Sequence, residues 1–394
     1  MSSRVPDLIP GRRLGALYFG YFGALGALVP YFSRYLAARG YDAATIGQLM
    51  AVLSGTRVFA PFLWSLVIER VGLPMAVVRA ALVIATLSFA GLLLEPAFLG
   101  LLLCLLGYHL FANAVLPQME AVTLGHLREK AARYSRIRMW GSVGYMGLVV
   151  VTGFALDRMG ATVLPVLVLA GLLFTIGAAV LVPDVPSPEH ASEAMPIGPA
   201  LRHLAVWALI GISLLQQAAN MPYYLFYDLL LKGHGYSGFT IGCLIALGVL
   251  AEIGMFFVVG RMLERHGPRL ILLAVLAIGT FRWLAIGGLT HSLVVLALAQ
   301  LLHAVTFAAA HATAMYSLAR LFPSRLQVRA QGLYASLVYG VGGITGSLLA
   351  GQIGKVFGLS ACFYLSSVLS ILALLWTWHG FHIDRRPVDD YGAA

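Results

Sequence analysis

Charged residues are scarce in this chain. Of 394 residues, 11% are charged and 60% are hydrophobic, and the mean hydropathy is +0.87. This composition excludes an ordinary soluble domain, in which about 25% of residues are charged. Cysteine is also rare. Cys104, Cys243 and Cys362 are isolated and lack CxxC spacing, so the sequence indicates neither a disulfide framework nor a cysteine metal site.

Signatures of catalysis and of nucleotide binding are missing as well. The chain contains no HExxH motif and no recognisable Ser-His-Asp arrangement. The glycine-rich run at 340–343 lacks the Lys-Ser/Thr pair of a phosphate loop. No polar stretch is long enough to form a nucleotide-binding domain. We therefore expect neither an enzyme nor an ATP-driven pump, and no cofactor or metal.

Long apolar runs are what the chain does contain. Most are 18 residues or longer, as a bilayer-spanning helix requires. They predict an all-α integral membrane protein with twelve transmembrane helices. The predicted spans are 14–38, 43–68, 74–94, 97–126, 134–156, 160–182, 200–231, 238–263, 269–288, 292–321, 326–354 and 358–380.

The net charge of +10 reflects membrane topology rather than a nucleic-acid partner. With the N-terminus inside, most basic residues fall in cytoplasmic loops, as the positive-inside rule requires. Those residues are Arg4, Arg12, Arg13, Arg70, Arg128, Lys130, Arg133, Arg265, Arg269, Arg320, Arg325, Arg385 and Arg386. Only Arg34, Arg39, Arg158, Lys232 and Lys355 remain outside. We expect both termini in the cytoplasm and the protein in the bacterial inner membrane, in contact with lipid.

One polar break divides the apolar pattern. Its Pro, Ser, Glu and His content predicts a cytoplasmic linker at 183–199. The linker separates an N-terminal six-helix bundle (1–182) from a C-terminal six-helix bundle with a short cytoplasmic tail (200–394).

The two halves resemble each other. Glu69-Arg70-Val71-Gly72 and Glu264-Arg265-His266-Gly267 follow the second and eighth spans at an offset of 195 residues. The fifth and eleventh spans both carry glycine-rich faces. Two related six-helix units are the parallel-repeat arrangement of major facilitator transporters. We expect Glu69, Arg70, Glu264 and Arg265 to pair across the halves as a conformational latch.

Glu120 and Arg138 are charges inside the fourth and fifth spans. A short turn joins these spans, so both residues lie at a similar depth. A charge within a membrane segment is costly and commonly marks a substrate or ion pathway. We expect this pair to bind substrate; the alternative is a purely structural ion pair.

Three further residues are candidates for proton coupling. Glu252 lies in the middle of the eighth span, where burial favours the neutral form of a carboxyl group. His303 and His311 lie on the tenth span, and histidine changes charge near physiological pH. The alternatives are a carboxyl group tied to Arg282 and two hydrogen-bonded core histidines.

The remaining polar and aromatic residues of the spans have simpler interpretations. Arg57 either pairs with a neighbouring helix or contacts the cavity, and Asp228 is expected to be solvated near the outer end of its span. Tyr31 and Tyr227 are expected in the interfacial aromatic belts. The residues expected to line a cavity for a flat ring are Tyr21, Trp140, Asn220, Tyr224 and Tyr339.

The sequence around these residues resembles a known superfamily. Arg138-Met139-Trp140-Gly141 is similar to a stretch of the lactose permease, in which the arginine holds substrate together with an acid at the spacing of Glu120. Leu302-His303 resembles the coupling histidine of that protein. Thr306 and Gln300 depart from its pattern, which leaves Glu252 as the proton-carrying carboxyl group.

A fuller pattern resembles the bacterial 3-phenylpropionic acid transporters of the major facilitator superfamily. The matching segments begin at Tyr18, Arg57, Pro117 and Ala330.

The resemblance implies a proton symporter that imports a small organic substrate by alternating access. An aromatic carboxylate like 3-phenylpropionate is the favoured substrate, and a sugar or a nucleoside is the alternative. A proton-driven exporter is the rival within transport. We expect the partners to be the substrate, protons and lipid, without nucleic acid, and the protein to be a monomer.

Overall fold

The computed structural model describes residues 10–127, 130, 133–185, 198 and 200–381. Within these residues it contains only helices and their connections, without β-strands. The predicted all-α class is therefore confirmed. Helices follow the apolar runs because a helix satisfies its backbone N–H and C=O groups within a single segment, as the interior of a bilayer requires.

Seven α-helices come from the first half of the chain and seven from the second half. The first seven are α1 (Gly11–Leu28), α2 (Phe32–Ala38), α3 (Ala43–Val71), α4 (Pro74–Ala90), α5 (Phe98–Leu127), α6 (Tyr134–Met159) and α7 (Leu164–Leu181). The others are α8 (Leu204–Gly233), α9 (Gly238–Gly288), α10 (Leu293–His303), α11 (Ala310–Leu321), α12 (Gln327–Tyr334), α13 (Gly342–Phe357) and α14 (Leu359–Gly380). Two π-helical turns, Ala304–Ala309 and Ala335–Val341, join α10 to α11 and α12 to α13.

The number of spans agrees with the sequence once α9 is divided. Ten stretches of the described residues are long and apolar enough to cross a bilayer, or 11 with the bent helix α3. Helix α9 has 51 residues, about 77 Å at 1.5 Å per residue, which is more than twice the roughly 30 Å hydrocarbon core. Gly267 interrupts it with non-helical angles (φ 78°, ψ 161°). Because α9 supplies two spans, the total rises from 11 to twelve.

The positions of positive-φ glycines support an internal repeat. Six glycines of the described residues have positive φ, a conformation that glycine adopts without steric cost. Gly40 and Gly235 are 195 residues apart, as are Gly72 and Gly267, and Gly160 precedes Gly358 by 198 residues. The chain thus turns at equivalent points in both halves, and Gly72 and Gly267 end the tetrapeptides that the sequence identified as repeated.

The described residues fall into two compact units. The first takes its residues from Met1–Leu28, Ala60–Val149 and Val163–Glu189, and the second from Val29–Phe59, Val150–Thr162 and His190–Ala394. The predicted division into bundles 1–182 and 200–394 stays a prediction. Most of the predicted linker lies outside the described residues.

Glycines allow close helix packing in the first unit. A Cβ on Gly144 of α6 would collide with the backbone of Phe19 in α1, and one on Gly26 would collide with Tyr145. At one end of this unit, Asp184 accepts hydrogen bonds from the N–H groups of Met75 (3.0 Å) and Ala76 (2.9 Å). This carboxylate satisfies two of the unpaired donors at the start of α4.

Helix α8 lies at the centre of the second unit and is buried along most of its length. Helix α13 packs on it through Gly342 and Gly346, which lie against Gln217 and Ala218 respectively. On another side, Gly351 of α13 faces Gly47 of α3. Small residues thus bring these backbones together, as expected for helix packing in membranes.

Candidate functional site

Glu252 and His303 form a buried pair in the second unit. Glu252 lies on α9 and His303 is the last residue of α10. His303 Nε2 is 2.9 Å from Glu252 Oε1, and the two side chains are 14% (Glu252) and 8% (His303) exposed. The other ring nitrogen, Nδ1, has no hydrogen-bond partner among the described residues. A carboxyl and an imidazole in this contact can hold one proton between them and exchange it.

Arg282 lies beside this pair but is held by other groups. Its side chain is completely buried, with the guanidinium carbon 4.8 Å from the ring centre of Tyr223 and 4.2 Å from that of Trp283. Nε donates to the carbonyl of Ala299 at 2.8 Å, and Nη1 donates to Thr306 Oγ1 at 3.2 Å. The direct partner of Glu252 is therefore His303 rather than Arg282, the alternative that the sequence left open.

Tyr223 and Gln300 extend this group of polar residues. The Tyr223 hydroxyl donates to Gln300 Oε1 at 2.9 Å, and the Tyr223 ring centre is 5.1 Å from that of His303. Sequence reasoning missed Tyr223 as a site residue and treated Gln300 only as a departure from a family pattern. The signal was available, because Gln300 precedes His303 by three residues and so shares its helix face.

Two π-helical turns shape the site. Ala304–Ala309 begins directly after His303, and Ala335–Val341 contains Tyr339. A π-turn inserts an extra residue into a helix and frequently occurs at functional sites. The first turn exposes a backbone carbonyl, and Gln216 Nε2 donates to this Thr306 oxygen at 2.9 Å. The sequence carried no recognisable signal for either turn.

A small polar cleft lies among α8, α11 and the two π-turns, and the empty space in and above it, part of which is open solvent, is about 340 Å³. It brings together three predicted residues, Asn220, His311 and Tyr339. His311 Nδ1 and the Tyr339 hydroxyl are 3.1 Å apart. The other lining residues are Ser213, Gln216, Gln217, Thr306, Phe307, Ala310, Tyr334 and Val338. Predicted Tyr224 is not among them; it packs edge-on against Tyr223, with ring centres 5.7 Å apart.

Glu120 and Arg138 lie near each other in the first unit without a direct ion pair. Glu120 is seven residues before the end of α5, and Arg138 is four residues after the start of α6. Both side chains are half-buried. Tyr134 is close enough to interact electrostatically with both. The guanidinium carbon of Arg138 is 4.0 Å from the ring centre of Phe22, so this cation rests on an aromatic face.

The other predicted residues of the first unit lie close to this pair. Tyr21 packs edge-on against Phe22, with ring centres 5.2 Å apart. Trp140 is 50% exposed, and its ring contacts Gly15 of α1. The four residues of the predicted latch are exposed. Glu69 and Arg70 belong to the first unit and Glu264 and Arg265 to the second, so the latch stays a prediction.

The sequence expectations for three residues were wrong at the predicted outer end. Asp228 is 2% exposed instead of solvated, because Arg34 of α2 binds it through two hydrogen bonds, including Nε to Oδ2 at 2.7 Å. Asp157 lies 3.9 Å from Arg34 and 3.1 Å from Lys232. Tyr31 and Tyr227, expected in interfacial belts, are also fully buried. The position of a residue along its helix predicted its depth in the membrane, but it did not predict which neighbouring helix its side chain contacts.

Comparison with known proteins identifies the family. The model described as "MFS_1 like family" matches residues 12–365. The chain belongs to this family. It is a multi-pass major facilitator transporter, as the fold and the intramembrane charges had indicated.

Relatives of this transporter differ in the substrates that their names state. It is similar to the "Probable 3-phenylpropionic acid transporter" of Escherichia coli (strain K12), with 29% identity over 371 residues that cover 92% of this chain and 96% of that protein. It is also similar to the maltose permease of Geobacillus stearothermophilus, with 26% identity and 91% coverage of both chains. The crystal structure of nucleoside transporter NupG has a TM-score of 0.81 at 15% identity and covers 95% of this chain and 99% of that one. That likeness concerns the fold alone.

Proposed function

We propose that this transporter is a proton symporter that imports a small aromatic carboxylate resembling 3-phenylpropionate. The observation that carries the proposal is the buried contact between Glu252 and His303, at 2.9 Å. A carboxyl group and an imidazole that share a hydrogen bond away from bulk water can gain and lose a proton without the cost of an isolated buried charge. Coupling to a proton gradient requires such a group.

The surroundings of this pair suit a change of protonation. The buried cation Arg282 rests against the ring of Tyr223, which in turn packs against His303, and its positive charge opposes a second positive charge on the pair. The unpaired Nδ1 of His303 is free to take a proton or a hydrogen bond as the pair changes charge. His311, at the polar cleft, is the second proton-coupling candidate. We propose that these groups take up a proton on one side of the membrane and release it on the other.

Arg138 is the proposed partner for the carboxylate of the substrate. Glu120 interacts with it electrostatically but does not form a direct ion pair, and this leaves the guanidinium able to bind another anion. Phe22 and Tyr18 offer aromatic surface beside it. A substrate with a ring and a carboxylate matches both features. The substrate anion would compete with Glu120 for Arg138 and so connect occupancy to conformational change.

A sugar or a nucleoside is the second candidate substrate. The name of the maltose permease favours a sugar, and the amide side chains of the cleft, Gln216, Gln217 and Asn220, suit either neutral substrate. A proton-driven exporter is less favoured, because exporters of lipophilic compounds need larger apolar cavities. We further propose an inner-membrane location, cytoplasmic termini, a monomer, and alternating access by two six-helix halves controlled by the predicted latch.

Uptake into liposomes tests this function. Purified protein would be reconstituted, and accumulation of labelled 3-phenylpropionate, maltose and uridine measured with and without an inside-alkaline pH gradient. We expect gradient-dependent accumulation of the carboxylate. Arg138→Ala should abolish it, whereas Arg136→Ala, an exposed arginine of the same helix, should preserve it. Gradient-independent equilibration of every label would contradict proton coupling, and full accumulation by Arg138→Ala would contradict its role.

A further inference from the structure

Arg57 is a cation in the middle of a spanning helix. It lies 14 residues from either end of α3 (Ala43–Val71), which is about 21 Å from each end. Its side chain is exposed rather than packed in the protein. A charged side chain at this depth faces the interior of a bundle or a water-filled cavity, because hydrocarbon cannot solvate it.

Among the described residues of the second unit, no acidic side chain forms an ion pair with Arg57. This part of the unit contains five acids, and four of them already contact another basic side chain. The bound acids are Asp42 with Lys355, Asp157 with Lys232, Asp228 with Arg34 and Glu252 with His303. The fifth, Glu264, is exposed near the Gly267 break. Among the described residues of this unit, the balancing charge for Arg57 is therefore not provided by the chain.

Helix contacts place Arg57 beside the π-turn that forms one wall of the polar cleft, although Arg57 is not itself among the lining residues. Ser336 Oγ donates to the carbonyl of Val58 at 3.2 Å, and Gly340 lies directly against Val58. These contacts seat the residue after Arg57 on the π-turn that carries Tyr339. Arg57 is close enough to Tyr339 to interact with it electrostatically. Tyr339 in turn contacts His311 at 3.1 Å, and both line the cleft.

We propose that Arg57 binds the carboxylate of an organic anion in the cleft of the second unit, with the Tyr339 hydroxyl as a second donor. The planar guanidinium matches a carboxylate with two parallel hydrogen bonds. Phe307 and Tyr334 supply aromatic surface in the same cleft. The proposal rests on the proposed transport of a small organic substrate and deepens it: the substrate class is an anion, because a neutral sugar or nucleoside would leave this cation without a counter-charge.

Acid and amide pairs test this inference directly. The probes are 3-phenylpropionate with 3-phenylpropanamide and benzoate with benzamide, each titrated into the detergent-purified full chain near pH 7 by thermal-shift and calorimetric measurement. At this pH the acids are ionised, and each amide keeps the shape without the charge. Wild type should bind at least one acid about tenfold or more tightly than its amide, the size of one charge-assisted hydrogen bond.

Two variants test whether Arg57 is the source of the preference for the acid over its amide. Arg57→Gln should lower the acid-to-amide ratio, leaving only the preference that Arg138 contributes, and Arg57→Lys should restore part of the loss because lysine keeps the charge but not the planar guanidinium. The matched control is Arg261→Gln, which removes an exposed arginine elsewhere in the same unit and should keep the wild-type ratio. A wild type without acid preference, or an Arg57→Gln variant that keeps the wild-type ratio, would overturn the inference.

The binding test of Arg57 can succeed or fail independently of the proposed symporter function. Binding in detergent needs no proton gradient, so an acid preference that depends on Arg57 stands even if liposomes show no coupling. Conversely, gradient-driven uptake with an unchanged acid preference in Arg57→Gln would support the symporter and reject the role of Arg57.

Discussion

Replacing Asp228 with asparagine would leave the guanidinium of Arg34 buried without its carboxylate. In the structure these two side chains are 9% and 2% exposed and share two hydrogen bonds. Removing one partner of a buried ion pair costs about 3–5 kcal/mol, because the remaining charge is desolvated and unpaired. Asp157 lies 3.9 Å from Arg34 and takes over part of the interaction, so we expect the lower end, about 3 kcal/mol.

That energy would favour any state in which water reaches Arg34. A difference of about 3 kcal/mol corresponds to roughly a 100-fold change in population. Arg34, in the segment 29–59, binds Asp228 of α8 and lies near Asp157, in the segment 150–162. Asp157 also accepts a hydrogen bond from the N–H of Phe239 in α9, so these polar contacts hold the four segments together at the predicted outer end. We therefore expect Asp228→Asn to increase opening at this end in addition to lowering thermal stability.

Thiol labelling of a neighbouring residue measures this opening. Ser33 is 3% exposed beside Arg34, and Ser33→Cys would be introduced after Cys104, Cys243 and Cys362 are replaced by alanine. When opening is fast, the labelling rate follows the open population. We expect a membrane-impermeant maleimide to react tens of times faster in Asp228→Asn than in the otherwise identical parent.

A double variant separates the charge effect from general damage. Arg34→Gln combined with Asp228→Asn removes both charges and should restore much of the slow labelling. Unchanged labelling in Asp228→Asn, or a double variant as fast as the single one, would refute this reasoning about the buried pair.

Three other outcomes are expected. Asp184→Ala should lower the free energy of unfolding by about 1 kcal/mol, the typical value of a helix cap, in chemical denaturation. Gly346→Leu should destabilise by about 1–3 kcal/mol or more, because its site is filled by Ala218, whereas Gly254→Leu, with open space, should not. The N–H of Thr45 and the ammonium of Lys355 lower the pKa of Asp42; its stabilising effect is therefore lost only in acid, and Asp42→Asn should leave the pH profile of uptake unchanged between about pH 5 and 8.

The architecture was readable from sequence because the bilayer imposes a simple rule. Only helices of about 20 apolar residues satisfy their backbone hydrogen bonds inside hydrocarbon. The sequence therefore predicted two separate spans, 238–263 and 269–288, and the structure places the break between them at Gly267. The repeat was visible for a similar reason: Gly72 and Gly267 end equivalent helices with positive φ.

The site was only partly predictable. Glu252 and His303 stood out because a titratable group in a spanning helix is rare, and the structure brings them into contact. The pairing of Arg34 with Asp228 was not foreseen, because the residues are 194 positions apart and depth alone does not choose a partner. The π-turns were not predicted either, because one extra residue in a helical turn does not change the hydropathy of the span.

The most direct test of the account asks whether Glu252 couples the substrate to the proton. In liposomes, exchange of labelled for unlabelled substrate needs no net proton movement, whereas accumulation driven by a pH gradient does. We predict that Glu252→Gln keeps exchange and loses accumulation, while Glu95→Gln, an acid outside the spans, keeps both. Gradient-driven accumulation at the wild-type level in Glu252→Gln would contradict the account.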